Sequence, residues 1–274
     1  MEKFSVSICV YGGDNAQYFD LAMQSIFNQT LMPDEVVLVV DGPVGDNIND
    51  IITKYQGETL KVIRLPQNVG HGDARRIGLE NCTYDLVALM DADDICVTDR
   101  FQKQIEAFTK NPDISIVGGQ ISEFIDSIDN IVGQRIVPLE DKDIKEYMKK
   151  RCPMNQVTVM FRKKDVQSVG GYIDWYCEED YYLWIRMALA DLKFLNVPDV
   201  LVNVRVGNEM YQRRGGLKYF KSEAKLHKFM YDNKIIGFPR YFISVSERLI
   251  LQVLMPNWLR GIVFKIFARE KAEG

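Results

Sequence analysis

Two short acidic clusters are the residues of this chain best suited to do chemistry. Asp91-Ala92-Asp93-Asp94 follows the apolar run Leu86-Val87-Ala88-Leu89-Met90. If extended geometry persists past Met90, residues two apart point the same way. Asp91 and Asp93 would then face one site and Asp94 the other. Two hard carboxylates beside a diphosphate are the environment expected for Mg²⁺ or Mn²⁺, which keeps its remaining positions for phosphate and water. Like charges this close are unfavourable without a cation. A D-x-D pair alone is a weak signal, equally read as an acidic loop capping a helix near Thr98. At the end of a buried strand it is a stronger one.

The second cluster, Glu178-Glu179-Asp180, precedes Tyr181-Tyr182-Leu183-Trp184. In a helix Asp180 shares a face with Leu183, Trp184 and Met187. It is therefore expected to be the carboxylate turned toward packed protein. Glu178 and Glu179 are expected to point elsewhere and to favour the helix dipole. Desolvation raises a carboxylate pKa, which suits Asp180 to the work of a general base.

The elements that must position these groups are legible from periodicity. Residues 4–10 and 35–40 read as buried strands rich in β-branched side chains. Between them Phe19, Ala22, Met23, Ile26 and Phe27 follow the apolar spacing of an amphipathic helix. The alternation continues with a helix near 46–55, a strand at 60–65, a helix at 72–82 and a strand at 84–90. Such repeats imply right-handed βαβ units and a parallel sheet covered on both faces. Ligands bind beyond the carboxyl ends of such strands, and Tyr11, Asp41 and Asp91 all fall there. Farther on, a helix over 101–108 precedes strands at 114–125 and 131–137. A helix at 141–150, a strand at 157–162, a helix at 179–190, and short strands at 192–197 and 200–206 complete the body.

Asn68-Val69-Gly70-His71-Gly72-Asp73-Ala74-Arg75-Arg76 joins the third strand to a helix. Its glycines resemble part of a dinucleotide fingerprint, but the G-x-G-x-x-G spacing fails at Arg75 and no ribose-binding acid follows at the required distance. Arg75 or Arg76 could approach a nucleotide from this helix, and a solvated helix face accounts for at least one of them.

The bulk composition narrows the classes. With 274 residues, 47% of them apolar and 26% charged, the chain has the make-up of a soluble globular protein. Five cysteines without C-x-x-C spacing argue against a disulfide framework or a zinc site and for a reducing cytosol. His71 and His227 are too few for a multi-histidine metal site. No charged-then-apolar leader opens the sequence.

The net charge of −4 hides an asymmetry: residues 205–274 hold 14 Lys/Arg against 6 Asp/Glu. Within that tail Leu259, Ile262, Val263, Ile266 and Phe267 share one helical arc, flanked by Arg260 on one side and Lys265 and Arg269 on the other. Residues 240–274 are thus expected to lie on an anionic membrane surface or to pack on protein. No uninterrupted run approaches the roughly 20 residues that span a bilayer. Nothing in the tail combines stacking and basic residues as nucleic-acid binding requires.

The stretches SVSICVYGGDNAQYFDLAMQSIFNQTLMPDEVVLVVDGP, NVGHGDARRIGL, DLVALMDADDICVTDRFQKQ and GGYIDWYCEEDYYLWIRM cover roughly residues 4–206 in order. In them the chain resembles the inverting GT-A-fold glycosyltransferases of family 2, especially the bacterial branch that builds capsular and O-antigen polysaccharides. The resemblance implies an α/β fold with a mostly parallel, Rossmann-like sheet flanked by helices. Residues 1–206 would form the catalytic domain and 207–274 a basic, helical C-terminal extension.

By the same resemblance, Tyr11 and Asp41 line the base and ribose of a UDP-type donor, and Arg75 stands near the nucleotide. Asp91 and Asp93, joined by Ala92, are the ribose- and metal-binding acids, and Asp180 is the catalytic base. Glu179, Asn155 and Gln156 fall on the acceptor side. Two positions depart from the family: Arg76 replaces a common asparagine, and Asn155-Gln156 replaces a common His-Pro pair.

The acceptor implied by a membrane-bound tail is a lipid-linked saccharide at the inner face of the plasma membrane, and a homo-oligomer is compatible with this. Two competing readings are a sugar-nucleotide nucleotidyltransferase and a non-catalytic nucleotide-sugar-binding relative. The first would want a basic phosphate loop after the first strand, which Tyr11-Gly12-Gly13-Asp14 lacks.

Overall fold

A computed structural model describes residues 2–207 and 216–254. The first half alternates β1 (Phe4–Tyr11), α1 (Ala16–Phe27), β2 (Glu35–Asp41), α2 (Asp46–Lys54), β3 (Leu60–Arg64), α3 (His71–Asn81) and β4 (Leu86–Met90). These four strands pair in parallel in the order β3-β2-β1-β4. Register brings Tyr11 level with Asp41, and Ile8 level with Met90, so the carboxyl ends of β1, β2 and β4 share one edge.

The second half turns the sheet mixed. It holds β5 (Ile95–Cys96), α4 (Arg100–Lys110), β6 (Ile114–Phe124), β7 (Ile131–Arg135), α5 (Asp141–Met148), β8 (Met160–Arg162), α6 (Lys163–Ser168), α7 (Glu179–Leu189) and β9 (Lys193–Arg205). β8 is antiparallel to β4 and to β6, whereas β6 runs parallel to β9. Two helices follow, α8 (Leu217–Asp232) and α9 (Phe238–Arg248), and a wider helical turn over Leu249–Leu254.

Period-two alternation distributes side chains to two cores. Val36, Leu38 and Val40 of β2, with Leu86, Ala88 and Met90 of β4, meet Phe19, Met23, Phe101 and Phe108 on one face. Val37, Val87 and Leu89 meet Leu79, Phe161, Trp184 and Phe194 on the other, and Leu226 and Met230 of α8 belong to that same core. α3 lies close on β1 because Gly78 has no side chain. A Cβ there would stand 2.4 Å from Ser7 Oγ. That approach sets the height of Arg75 over the strand ends.

Two sequence expectations about strands are corrected, and two short elements are added. The strands expected at 192–197 and 200–206 are one strand, β9, whose register against β6 slips around Pro198. Proline has no N–H for the ladder, so the strand bulges there instead of ending. The strand expected at 157–162 is a tight turn over Gln156–Thr158 followed by the short β8. β5 and α6 went unseen, being too short to show a period.

The amphipathic arc Leu259–Phe267 lies outside the described residues, and so do residues 208–215, just past the expected boundary between residues 206 and 207. No helix among the described residues is long and apolar enough to cross a membrane.

α8 also carries a buried imidazole. His227 is 1% exposed. Burial, with Arg248 and Arg240 nearby, pulls its pKa from 6.5 to about 3. Below pH 6.5 the unfolded chain takes up a proton that the folded chain refuses, so this group lowers stability as the pH falls toward 3. His227→Leu should remove that loss. In urea unfolding, its stability relative to the parent should rise by about 2–3 kcal/mol between pH 7 and pH 4.5. A pH-independent difference would contradict this account.

Candidate active site

β4 delivers the first acidic cluster to the sheet edge, but residues 92 and 93 form a turn and do not continue the strand. The alternation expected from extended backbone is therefore corrected, although the accessible acids are the ones it singled out. Asp91 is half-buried, Asp93 is exposed, and Ala92 is buried between them. Asp94 turns inward, and its Oδ1 accepts from the Arg205 amide at 2.8 Å. Burial, then Asp93 and Asp91, hold its carboxyl well above the usual range.

The strand end is held from behind by a group with no sequence signature. Arg100 of α4 is fully buried and donates from Nη2 to Leu89 O at 2.8 Å. Gln104, one turn on, donates to Val117 O at 3.0 Å and to Thr158 O at 2.8 Å. β4, β6 and the turn before β8 are tied together there.

Arg75 joins the two acidic clusters. Its Nη2 lies 2.6 Å from Asp91 Oδ1, and its Nη1 lies 3.4 Å from Glu179 Oε1. One turn earlier on α3, His71 Nδ1 approaches the same Glu179 oxygen at 3.6 Å. Burial would raise the Asp91 pKa, but Arg75, with His71 and Arg100 behind it, outweighs burial and holds it low. Asp91 thus stays ionised beside a cation. Arg76, by contrast, pairs with Asp73 and Glu80 on the exposed face of α3.

Asp41 closes the neighbouring loop. Its Oδ1 accepts from Val69 N at 2.7 Å and its Oδ2 from Gly70 N at 3.2 Å, fixing the chain where it enters α3. Gly42 permits the close approach, having φ +87° and no Cβ to strike Asn68 N, which would be 2.7 Å away. Tyr11 is 47% exposed on the rim, and its amide donates to Asp14 Oδ2 at 2.9 Å.

The second cluster departs most from the sequence reading. Glu178 and Glu179 are the buried members, at 5% and 9% exposure, while Asp180 is only half-buried. Helical periodicity fails as a guide because the chain becomes helical only at Glu179, and α8 packs over the irregular turn before it. Asp180 Oδ1 accepts from Tyr181 N at 2.6 Å. Burial and then Asp180 raise the Glu179 pKa to about 7 against the opposing pull of Arg75.

Asn155 and Gln156 serve the body of the protein. Asn155 is buried, donating to Gly119 O at 2.8 Å and accepting from Arg135 Nη1 at 2.7 Å. Gln156 Nε2 donates to Tyr172 OH at 3.0 Å. Tyr172, whose hydroxyl feels Arg75, and Arg205, whose Nε donates to Asp93 O at 3.2 Å, border the site unforeseen. Tyr172 lies within the stretch that resembles the family but nothing in its spacing marks it out, and Arg205 lies outside the stretches quoted for that resemblance.

Asp91 and Asp93 can hold a divalent cation, because two accessible carboxylates leave room for phosphate and water oxygens around Mg²⁺ or Mn²⁺. No cluster of three or more His, Cys, Asp or Glu suited to a metal occurs among the described residues.

The parallel half-sheet, with the mixed strands that curl away from it, is the GT-A fold. The first 349 residues of Staphylococcus aureus TarS share it: the crystal structure matches with a TM-score of 0.61 at 19% identity, over 97% of this chain and 81% of that one. The sequence model of Glycosyl transferase family 2 matches residues 5–169, and the chain belongs to that family.

It is 40% identical to a Haemophilus influenzae protein described as an uncharacterized glycosyltransferase, over 98% of this chain and all of that one. It is 37% identical to the amylovoran biosynthesis glycosyltransferase AmsE of Erwinia amylovora, over 93% and 97% of the two chains. It is 34% identical to the Escherichia coli UDP-Gal:alpha-D-GlcNAc-diphosphoundecaprenol beta-1,3-galactosyltransferase, over 96% and 95%.

The Glu179 carboxyl supplies a test of the geometry. Its folded pKa lies above the ordinary value of 4.5, so between pH 4.5 and 7 the folded chain keeps a proton that the unfolded chain has released. Its contribution to stability therefore falls as pH rises through that window. Glu179→Gln should gain on the parent by on the order of 2 kcal/mol from pH 4.5 to pH 7.5 in denaturant unfolding. A difference that shrinks with rising pH would show that Glu179 is not held as described.

Proposed function

We propose that this glycosyltransferase moves a sugar, with inversion, from a UDP-type donor to a lipid-linked saccharide in the assembly of a bacterial cell-surface polysaccharide. The observation that carries the reading is the Arg75 bridge, which sets the acids at the end of β4 against the acid-bearing start of α7. One cluster can then take the donor while the other works on the acceptor. The named activities of the Erwinia and Escherichia relatives support the polysaccharide and lipid-linked parts of the reading.

In this mechanism Tyr11 and Asp41 line the nucleoside, Arg75 orients the diphosphate side, and Asp91 and Asp93 hold Mn²⁺ or Mg²⁺. The cation, when bound, offsets the charge that develops on the departing diphosphate. Asp180 takes the proton of the acceptor hydroxyl while its oxygen attacks the anomeric carbon opposite the breaking bond to the diphosphate. A half-buried acid in the first turn of a helix is accessible to an acceptor and still partly desolvated. General-base assistance of this kind contributes about 10²–10⁴-fold.

The nucleotidyltransferase alternative lacks support at the β1–α1 loop, where Gly12, Gly13 and Asp14 offer no basic side chain to a triphosphate.

Mn²⁺-dependent turnover across a panel of UDP-, GDP- and dTDP-sugars will select the donor, with UDP-galactose as first probe. With that donor, Asp180→Asn should lower turnover at least about 100-fold while UDP binding persists. Asp93→Ala should instead weaken Mn²⁺-dependent binding. Near-normal turnover by Asp180→Asn removes Asp180 from the role, and unchanged Mn²⁺ dependence in Asp93→Ala removes Asp93.

Association with the inner face of the plasma membrane belongs to the same reading. Phe238, Phe242, Ile243, Ile250 and Leu254 are exposed on α9 and the turn after it, continuous in sequence with the basic tail. Bulky apolar groups beside cations suit the headgroup region of an anionic bilayer. In flotation with phosphatidylglycerol-containing vesicles, the parent should float. Phe242→Ser with Ile250→Ser should reduce the floated fraction several-fold. Equal flotation of the two would sink the membrane assignment.

A further inference from the structure

α8 and α9 hold the turn before Asp180 although neither supplies a group to the site. Ser222 of α8 donates from Oγ to Tyr176 O at 2.6 Å, and Trp175 Nε1 donates to Ser222 O at 3.3 Å. Trp175 packs on Tyr182 with ring centroids 4.4 Å apart, and Tyr182 meets Phe229 of α8 at 5.0 Å. Glu178, the residue on which α7 starts, donates its amide to Trp175 O at 3.0 Å, and its carbonyl receives the Tyr182 amide at 2.9 Å. Its carboxylate, buried, accepts from Tyr219 of α8.

That buried acid is not alone. Glu223, one turn along α8 from Tyr219, has a side chain 12% exposed and also belongs to this cluster. Arg248, at the end of α9, reaches Glu223 Oε1 with its Nε at 3.1 Å, and Gln252 donates to the same carboxylate. Both acids feel Arg248. Burial, then Glu223 and Asp180, push the Glu178 carboxyl well above the usual range, while Tyr219 and Arg248 pull it back. Removing the arginine would leave the buried Glu223 carboxylate without its cation beside Glu178, an uncompensated charge that would be relieved by moving the softest element packed against it. That element is the irregular turn 173–178, which leads directly into the first turn of α7.

We propose that Arg248 is a positioning residue for glycosyl transfer: paired with Glu223 beneath Glu178, it fixes the turn that aims Asp180. The C-terminal helices are then part of the catalytic unit. This rests on the reading of Asp180 as the base. A displacement of about 1 Å in a reacting group is enough to lower a rate on the order of 100-fold.

The experiment compares full-length parent, Arg248→Met and Arg248→Lys by amide hydrogen exchange, Mn²⁺-UDP binding and transfer from UDP-galactose to GlcNAc-diphosphoundecaprenol. In Arg248→Met, exchange over residues 174–182 should rise while β1–β3 stay protected. Turnover should fall about 10–100-fold with the donor KM within about two-fold. Arg248→Lys should restore most of both.

If Arg248→Met does not fold, Arg248→Gln, which keeps a polar group but no charge beside Glu223, takes its place, and the same measurements are made on that variant. Unchanged exchange over 174–182 overturns the proposal. So does a loss of UDP binding in step with turnover, which would mark a general loss of structure. Turnover retained by Asp180→Asn, with the exchange effect of Arg248→Met intact, would overturn the base assignment and leave the coupling standing.

Discussion

A single guanidinium organises the catalytic face of this protein. Arg75 is buried between Asp91 and Glu179, two acids that come from the end of β4 and from the start of α7. Without the cation, at least one of the acids would have to be protonated or exposed. The height of α3 on β1, set by the missing side chain of Gly78, and the entry of α3, set by Asp41, both serve to bring that guanidinium to the right place. The acids at the end of β4 and at the start of α7 are consequently one electrostatic unit.

The strand ends were legible in the sequence because buried parallel strands announce themselves. Val36 to Val40 and Leu86 to Met90 are continuous apolar runs, and a polar residue at the end of each can only be at the sheet edge. Tyr11, Asp41 and Asp91 were placed by that reasoning without any knowledge of their partners.

The second cluster was legible in composition but not in orientation. Which of Glu178, Glu179 and Asp180 is buried depends on α8, which packs over them from some 40 residues farther on, and on a turn with no period of its own. The two short strands expected on either side of Pro198 are one strand, because a bulge absorbs the residue that cannot join the ladder. Arg100 left no trace at all: a fully buried arginine satisfied by a main-chain carbonyl looks in sequence like any helical cation.

The C-terminal helices combine two tasks that in sequence looked separate. One face of α8 completes the core under α7, through Leu226 and Met230. Its polar side, with Arg248 of α9, closes around Glu178 and Glu223. Tyr241 of α9 packs against that core, while Phe238, Phe242 and Ile243 of the same helix are exposed. A basic and aromatic extension is thereby a structural partner of the turn that leads into α7.

The latch between Asp41 and the amides of Val69 and Gly70 has a consequence for how the donor arrives. Those two amides sit at the mouth of a helix, where loose chain would ordinarily have to settle around an incoming ligand. Here a carboxylate of the protein already occupies them, and Gly42 lets the two backbones close to contact. The wall is closed by the protein's own groups, so a ligand that reaches this edge of the sheet requires little ordering of this segment, and its affinity is spent on contacts and not on folding a loop.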